Sequence, residues 1–140
     1  GLESTLVMTS SLMRKQLMKL WSRHNVSFFE TMPRENLIIH YRCHRWFLFP
    51  SIEDGFGMVV LEAISQGCIP FVSKYSGVSE LFLSELPELV FDTKSELDID
   101  RIFHLMKDPN FYNVIVQRCE SFSVDNWGKY VDKYKSMITS

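Results

Sequence analysis

Residues 45–73 read RWFLFPSIEDGFGMVVLEAISQGCIPFVS, and this stretch decides the fold. Its first five residues are mostly aromatic or aliphatic and stop at Pro50, which predicts a fully buried strand. The apolar run from Met58 to Ile64 is long enough for a buried helix, and Gly67 suits the position just after a helix. Residues 69–73 predict a second strand. A strand, a helix and a strand in this order indicate a parallel β-α-β unit.

The same alternation continues on both sides of this unit. Further strands are predicted at residues 6–9, 26–29 and 89–91. Further helices are predicted at 12–23, from Pro33 to Arg42, at 80–83, from 96 onward, at 110–121 and at 124–138. Ser79 is the predicted cap of the helix at 80–83, and a Ser95-x-x-Asp98 capping pattern precedes the helix that begins at 96. A break at Asp108-Pro109 separates that helix from the one at 110–121. The pattern predicts an α/β fold, a Rossmann-like parallel sheet with helices on both faces, with residues 1–140 as one domain. Ligands of such sheets bind beyond the carboxyl ends of the strands, so the loops at 50–57 and 73–80 are the candidate site.

Composition excludes several classes of protein. Hydrophobic residues make up 46% of the chain and charged residues 23%, which excludes wholesale disorder. A net charge of −2 argues against a nucleic-acid partner. The three cysteines form no CxxC motif, so they predict no disulfide framework and favour a cytoplasmic location, with Cys68 and Cys119 as buried thiols. No apolar run is long enough to span a bilayer and no signal peptide is visible, while a start at Gly1 rather than methionine suggests a fragment.

Two acidic residues bracket the glycines of the 50–57 loop. Asp54 lies in the loop and Glu62 lies about one turn into the predicted helix. Glycine lets a ligand approach the backbone, and the amide groups at a helix N-terminus favour anions. Two carboxylates with amides between them suit a ligand that carries both hydroxyl and phosphate groups. The alternative is that Asp54 caps the helix and Glu62 is an ordinary surface residue.

Residues 50–73 resemble the signature of family-four glycosyltransferases, which have the two-domain GT-B fold and mostly retain anomeric configuration. The usual pattern of that family is a strand ending in Pro-Ser, then Glu-Gly-Phe-Gly, four residues, Glu-Ala, a glycine and a Pro-Val-Val strand. The order and spacing match over these 24 residues. The resemblance is strong over about residues 25–82, where it includes Leu37-x-x-x-Tyr41 and Ser76-Gly77-Val78-Ser79-Glu80, and weak outside this range, as in the segment 122–134.

The resemblance implies a role for each matching residue. Asp54 stands where the family has the first glutamate of its Glu-x7-Glu pair, so it is expected to bind donor-sugar hydroxyls at the catalytic centre, with a side chain one methylene shorter. The donor-binding stretch is Gly55, Phe56, Gly57 and the Met58 amide, and Glu62 is expected to bind the ribose. Thr31 and Met32 match the region that contacts the nucleobase. Glu80 is predicted to act as a cap or turn anchor rather than in catalysis.

The function implied is that of the donor-binding domain of a retaining glycosyltransferase. Such an enzyme moves a hexose or N-acetylhexosamine from a nucleotide diphosphate sugar, here UDP, to a glycan or lipid-linked acceptor, and bacterial surface-polysaccharide synthesis is the setting we expect. The resemblance implies no metal and no cofactor, an N-terminal acceptor-binding domain as partner, and contact with the inner face of the membrane through the acceptor. The family's Gly-Arg strand and Lys-Gly turn have no counterpart before Leu6, so the fragment alone is expected to be inactive. The alternative is a non-catalytic nucleotide-sugar-binding module or one subunit of a bipartite enzyme. A sugar-nucleotide epimerase would need acid and base residues that the sequence does not offer.

Three other features have less specific interpretations. His40 and His44 are four residues apart, but without further ligands they favour ordinary packing over a metal site. The basic residues between Arg14 and Arg23 favour a solvated helix face over lipid contact. Lys74 lies at the start of the second candidate loop. It is interpreted as a surface residue, with an ammonium group that faces a phosphate as the alternative.

Overall fold

The structure, a computed structural model, describes residues 4–7, 26–29, 32–52 and 57–122. The chain divides into two units, Gly1–His40 and Tyr41–Ser140. In the first unit, strand β1 (Ser4–Val7) pairs in parallel with β2 (Val26–Phe29). The strand predicted at residues 6–9 therefore begins two residues earlier, whereas β2 has the predicted bounds. The helices predicted at 12–23 and 124–138 lie outside the described residues.

Helix α1 includes residues of both units and lies where the sequence predicts a helix. It spans Arg34–Cys43 and begins directly after Pro33, whose carbonyl accepts from the amides of Asn36 and Leu37 at 3.0 and 3.2 Å. Tyr41 is its one buried residue. Proline fixes the backbone angle that a helix start requires, so the helix begins where the sequence predicts it.

The second unit contains a three-stranded parallel sheet in the order β3-β4-β5. Its elements in chain order are β3 (Trp46–Phe49), α2 (Met58–Ser65), β4 (Ile69–Ser73), α3 (Ser79–Leu83), a 3-10 turn (Pro87–Leu89), β5 (Val90–Phe91) and α4 (Glu96–Lys107), followed by helix α5 over residues 109–122. Strands and helices alternate as expected, so the α/β parallel architecture is confirmed.

Helices cover both faces of this sheet. Side chains alternate along a strand, so Trp46 of β3 faces one side and Phe47 the other. The Trp46 ring stacks against Phe111 of α5, with ring centroids 6.2 Å apart and planes 12° apart. The Phe47 ring meets the edge of Tyr41 of α1 on the opposite side, with centroids 5.5 Å apart. The sheet therefore forms the middle layer of three.

Strand β3 is less buried than its neighbour β4. All five residues of β4 are buried, whereas no residue of β3 is, and 41% of Leu48 is exposed. The prediction of a fully buried strand at 45–49 is therefore wrong. Within the described sheet β3 and β5 each pair with β4 alone, but both residues of β5 are buried, so an outer position does not by itself explain the exposure of Leu48.

The core lies between the sheet and its helices and is dominated by large apolar side chains. Its fully buried members include Phe71, Phe82, Ile102, Ile115 and Phe122, and the rings of Phe82 and Phe122 are 4.9 Å apart. Each such side chain contributes about 1.5–3 kcal/mol when it leaves water. The core thus ties α3, α4 and α5 to the strands that hold the candidate loops.

The start of α4 shows half of the expected capping box. The Ser95 hydroxyl accepts from the Asp98 amide at 3.2 Å, as predicted. The Asp98 carboxylate does not return to Ser95; it accepts from the Asp92 amide at 2.5 Å and from Arg101 Nε at 2.6 Å. Arg101 also donates to the Val90 carbonyl. Aspartate at this position therefore joins α4 to the end of β5.

Candidate functional site

The turn into α2 depends on a glycine with a left-handed backbone. Gly57 has φ +83° and ψ +51° and directly precedes the helix. A Cβ added there would lie 3.1 Å from Phe49 Cε1 and 3.2 Å from Val78 Cγ1. Those contacts show that Phe49 of β3 and Val78 of the next loop both close on Gly57. The two candidate loops thus meet at this residue, as expected for the carboxyl edge of a parallel sheet.

Helix α2 presents its positive end to this edge. It begins at Met58 and has no acidic residue in its first turn, so no side chain of that turn offsets the partial positive charge of the amide groups. Residues four apart share a helix flank, which places Glu62 on the Met58 side, about 6 Å along the axis. The half-buried Glu62 therefore lies one turn from the amide end, which is the placement that the sequence predicted for it.

The loop after β4 is held by three buried serines, Ser73, Ser76 and Ser79. The Ser76 hydroxyl donates to the Ser73 carbonyl at 2.7 Å, and the Ser79 hydroxyl donates to the Ser76 carbonyl at 2.7 Å. The Tyr75 amide donates to Ser73 Oγ at 3.2 Å. Ser79 lies inside α3 and Val78 occupies the cap position, so the prediction of Ser79 as helix cap is wrong. Its hydroxyl instead fixes the turn that carries Val78 toward Gly57.

Lys74 does not stand alone at the end of β4. Its ammonium group lies 2.7 Å from Asp92 Oδ2, and the Tyr75 hydroxyl donates to Asp92 Oδ1 at 3.0 Å. The hydrogen bond from Lys74 is the main cause that lowers the pKa of Asp92 to about 2, and the same contact raises the pKa of Lys74. The Lys94 ammonium also lies 4.6 Å from the centroid of the Tyr75 ring. The lysine considered as a phosphate ligand is therefore held by an acid from the neighbouring loop.

The structure describes some of the predicted site residues and not others. Asp54, Gly55, Phe56 and Thr31 lie outside the described residues, so their roles stay predictions. Met32 is described and half-buried, and it belongs to the first unit. The predicted residues that the structure brings to the edge of the second unit are Gly57, Met58 and Glu62. Met58 is 39% exposed at the start of α2.

Sequence reasoning missed a neighbour of Glu62. Burial raises the pKa of Tyr41 to about 12, and the nearby Glu62 carboxylate and Cys68 add to the shift in that order. Helical spacing marks Tyr41 as an inward residue, but its proximity to Glu62 depends on how α1 packs against α2.

Within residues 4–7, 26–29, 32–52 and 57–122, no group of three or more His, Cys, Asp or Glu side chains is arranged to hold a metal ion. None of the helices in those same ranges combines the length and the apolar character that a membrane crossing requires. Cys68 and Cys119 are buried as predicted, and burial is the main cause that raises the pKa of each thiol to about 12.

Comparison with known proteins agrees with this architecture. A family model described as "Glycosyl transferases group 1" matches residues 10–121, about four fifths of the chain. Among solved structures, the chain is similar to sucrose-phosphate synthase from Thermosynechococcus elongatus, with 18% sequence identity and a TM-score of 0.65. The match covers 94% of this chain and 38% of that one, so this chain spans less than two fifths of the length of that protein. At this identity the likeness shows the fold alone. No curated protein matches the chain.

Proposed function

The chain belongs to the group 1 glycosyl transferases, and from this premise we propose that it is the donor-binding domain of a retaining glycosyltransferase. The enzyme moves a hexose or N-acetylhexosamine from a nucleotide diphosphate sugar to a hydroxyl group of a glycan or lipid-linked acceptor. The observation that carries the proposal is the arrangement at α2, where a left-handed glycine opens the helix and Glu62 lies one turn beyond its amide end.

This arrangement suits the two chemically distinct parts of such a donor. The amide end of α2 has no acidic residue in its first turn, so it favours the negative charge of a diphosphate. That charge grows as the nucleoside diphosphate departs, and donors fixed in advance stabilise it at no cost of reorganisation. Glu62 accepts hydrogen bonds from the ribose hydroxyls. In the proposal Asp54 contacts the hydroxyls of the donor sugar, and Thr31 and Met32 contact the base.

The identity of the donor and of the partners belongs to the same proposal. UDP is the nucleotide and no metal or cofactor takes part. An acceptor-binding domain that precedes this region completes the enzyme, which works at the inner face of the membrane in bacterial surface-polysaccharide synthesis. The support for these finer statements is the similarity of residues 50–73 to the Glu-x7-Glu glycosyltransferases.

The test is a binding titration with the full-length enzyme and a panel of UDP, GDP and ADP. We expect UDP to bind most tightly and Glu62→Ala to weaken that binding by about 10- to 150-fold, because a hydrogen bond to a charged group contributes about 1.5–3 kcal/mol. The matched control is Glu120→Ala, which removes an exposed carboxylate from α5. Equal affinity of the wild type and Glu62→Ala would refute the ribose role, and a wild type that binds none of the three would refute the donor-binding function.

A further inference from the structure

Asp92, which directly follows β5, holds the two residues that follow β4. Its Oδ2 lies 2.7 Å from Lys74 Nζ, and its Oδ1 accepts from the Tyr75 hydroxyl at 3.0 Å. The Asp92 amide in turn donates to the Asp98 carboxylate of α4 at 2.5 Å, and the Lys74 amide donates to the Phe91 carbonyl at 2.9 Å. The start of the loop after β4 is therefore fastened to β5 and α4 by side chains as well as by the sheet.

The turn between Lys74 and Val78 is a stiff unit. The Ser79 hydroxyl donates to the Ser76 carbonyl at 2.7 Å and lies 3.2 Å from the Lys74 carbonyl oxygen. The Ser79 amide donates to the same Ser76 carbonyl at 3.1 Å. Both serines are buried, and Val78, which directly precedes Ser79, is fully buried. Because tightly packed and hydrogen-bonded groups yield little, a displacement of Lys74 is passed on to Val78.

Val78 lies against the glycine that begins α2. A Cβ built on Gly57 would lie 3.2 Å from Val78 Cγ1, so the valine leaves no room there for a methyl group. Gly57 directly precedes α2, and its carbonyl accepts from the Val60 amide at 3.0 Å. The unpaired amide groups of the first turn follow directly from this residue, so its conformation sets their direction. Asp92 is thus connected to the amide end of α2 through the turn and Val78, although it follows a different strand.

We propose that Asp92 is a positioning residue for the donor, which it does not contact itself. By holding the turn after β4, it keeps Val78 against Gly57 and so keeps the amide end of α2 directed at the diphosphate. Its own carboxylate is already engaged by Lys74 and Tyr75. Amide groups that are fixed in advance stabilise charge best, and a displacement of about 1 Å is costly even when its origin is remote. The inference rests on the proposed function, because it takes a nucleoside diphosphate as the ligand.

The test is a double-mutant cycle in the full-length enzyme, with the nucleoside diphosphate that binds most tightly in the panel above. Its members are Asp92→Ala, Val78→Ala and the variant that carries both substitutions. The matched control is Asp100→Ala, which removes an exposed carboxylate from α4. Calorimetric titration gives each affinity, and thermal denaturation checks that each variant is folded. If Val78→Ala does not fold, Tyr75→Phe replaces it in the cycle, because that substitution removes only the hydroxyl that donates to Asp92.

We expect Asp92→Ala to weaken binding of the diphosphate by about two- to thirtyfold, the range found for residues that act on a site through packed neighbours. The second substitution of the cycle should also weaken binding. The variant with both substitutions should bind no more weakly than the weaker of the two single variants, because both changes remove the same support from Gly57. Asp100→Ala should bind as the wild type does.

A purely structural role for Asp92 predicts a different result. Its loss would then lower the melting temperature and leave the affinity of the folded enzyme unchanged. An unchanged affinity in either single variant, or losses that simply multiply when the two substitutions are combined, would overturn this inference alone. A wild type that binds no nucleoside diphosphate would overturn the proposed function, and this inference with it.

Discussion

Replacing Gly57 with alanine tests whether the start of α2 depends on both backbone conformation and space. An alanine at φ +83° costs about 1–2 kcal/mol because its Cβ crowds the adjacent carbonyl oxygen. The new methyl group would also lie 3.1 Å from Phe49 Cε1 and 3.2 Å from Val78 Cγ1, and overpacking of this kind costs about 1–3 kcal/mol. We therefore expect Gly57→Ala to lower the free energy of unfolding by about 2–5 kcal/mol.

Gly67 provides a matched control for this substitution. Its φ is +84°, yet a Cβ there would meet nothing within 4 Å. Gly67→Ala should therefore lose only the backbone contribution of about 1–2 kcal/mol. Urea denaturation of both variants, with the slopes compared to confirm an unchanged transition, measures the difference. Equal destabilisation of the two variants would show that Phe49 and Val78 do not confine Gly57, and that our account of the loop contact is wrong.

Two further predictions concern titratable side chains. The pKa of Asp92 is lowered to about 2, chiefly by the hydrogen bond from Lys74, whereas an unfolded aspartate has a pKa of about 3.9. Asp92 therefore stabilises the fold above pH ~4, and this contribution is lost as the pH falls toward 2. In urea titrations from pH 6 to 2.5, Asp92→Asn should therefore show a weaker decline in stability than the wild type. Burial raises the pKa of Cys68 and of Cys119 to about 12, so a thiol-specific disulfide reagent should label Cys43 rapidly and label the two buried thiols only on unfolding.

Each of these two predictions has its own control. Asp100→Asn removes an exposed carboxylate from α4 and should leave the decline in stability at low pH as in the wild type. If Asp92→Asn and Asp100→Asn gave the same pH dependence, the contact between Lys74 and Asp92 would contribute nothing to acid stability. Cys43→Ser should abolish the rapid labelling phase, and a rapid phase that survived it would contradict the burial of the other two thiols.

The elements that the sequence predicted well are those whose signals are local. Gly67 ends α2 with a positive φ, and β4 is buried throughout, because a helix end and an apolar run depend on adjacent residues. The Ser95 hydroxyl accepts from the Asp98 amide, three residues later, for the same reason. Leu48 shows the limit of local reasoning, since an aromatic and aliphatic run does not reveal how much of its strand the surrounding elements cover. Ser79 shows another, because its hydroxyl could bond forward to a helix or backward to a turn.

In the candidate site, too, the features that depend on local spacing could be predicted and those that depend on packing could not. The spacing of Gly57, Met58 and Glu62 sufficed to place a carboxylate one turn from the amide end of α2. The closeness of Tyr41 to Glu62 could not be predicted, because it depends on the packing of two helices that are separated by a strand. The partner of Lys74 was equally inaccessible, since Asp92 follows a different strand.

The hydrogen bonds of Ser73, Ser76 and Ser79, between the end of β4 and the start of α3, determine in which environments this edge can keep its shape. Loops usually rely on surrounding water to satisfy carbonyl groups that no helix or strand pairs. Here the Ser73 carbonyl accepts from the hydroxyl and the amide of Ser76, and the Ser76 carbonyl accepts from the hydroxyl and the amide of Ser79. A crowded or partly dehydrated environment therefore removes little that this turn needs, and Val78 keeps its place beside Gly57 in such surroundings.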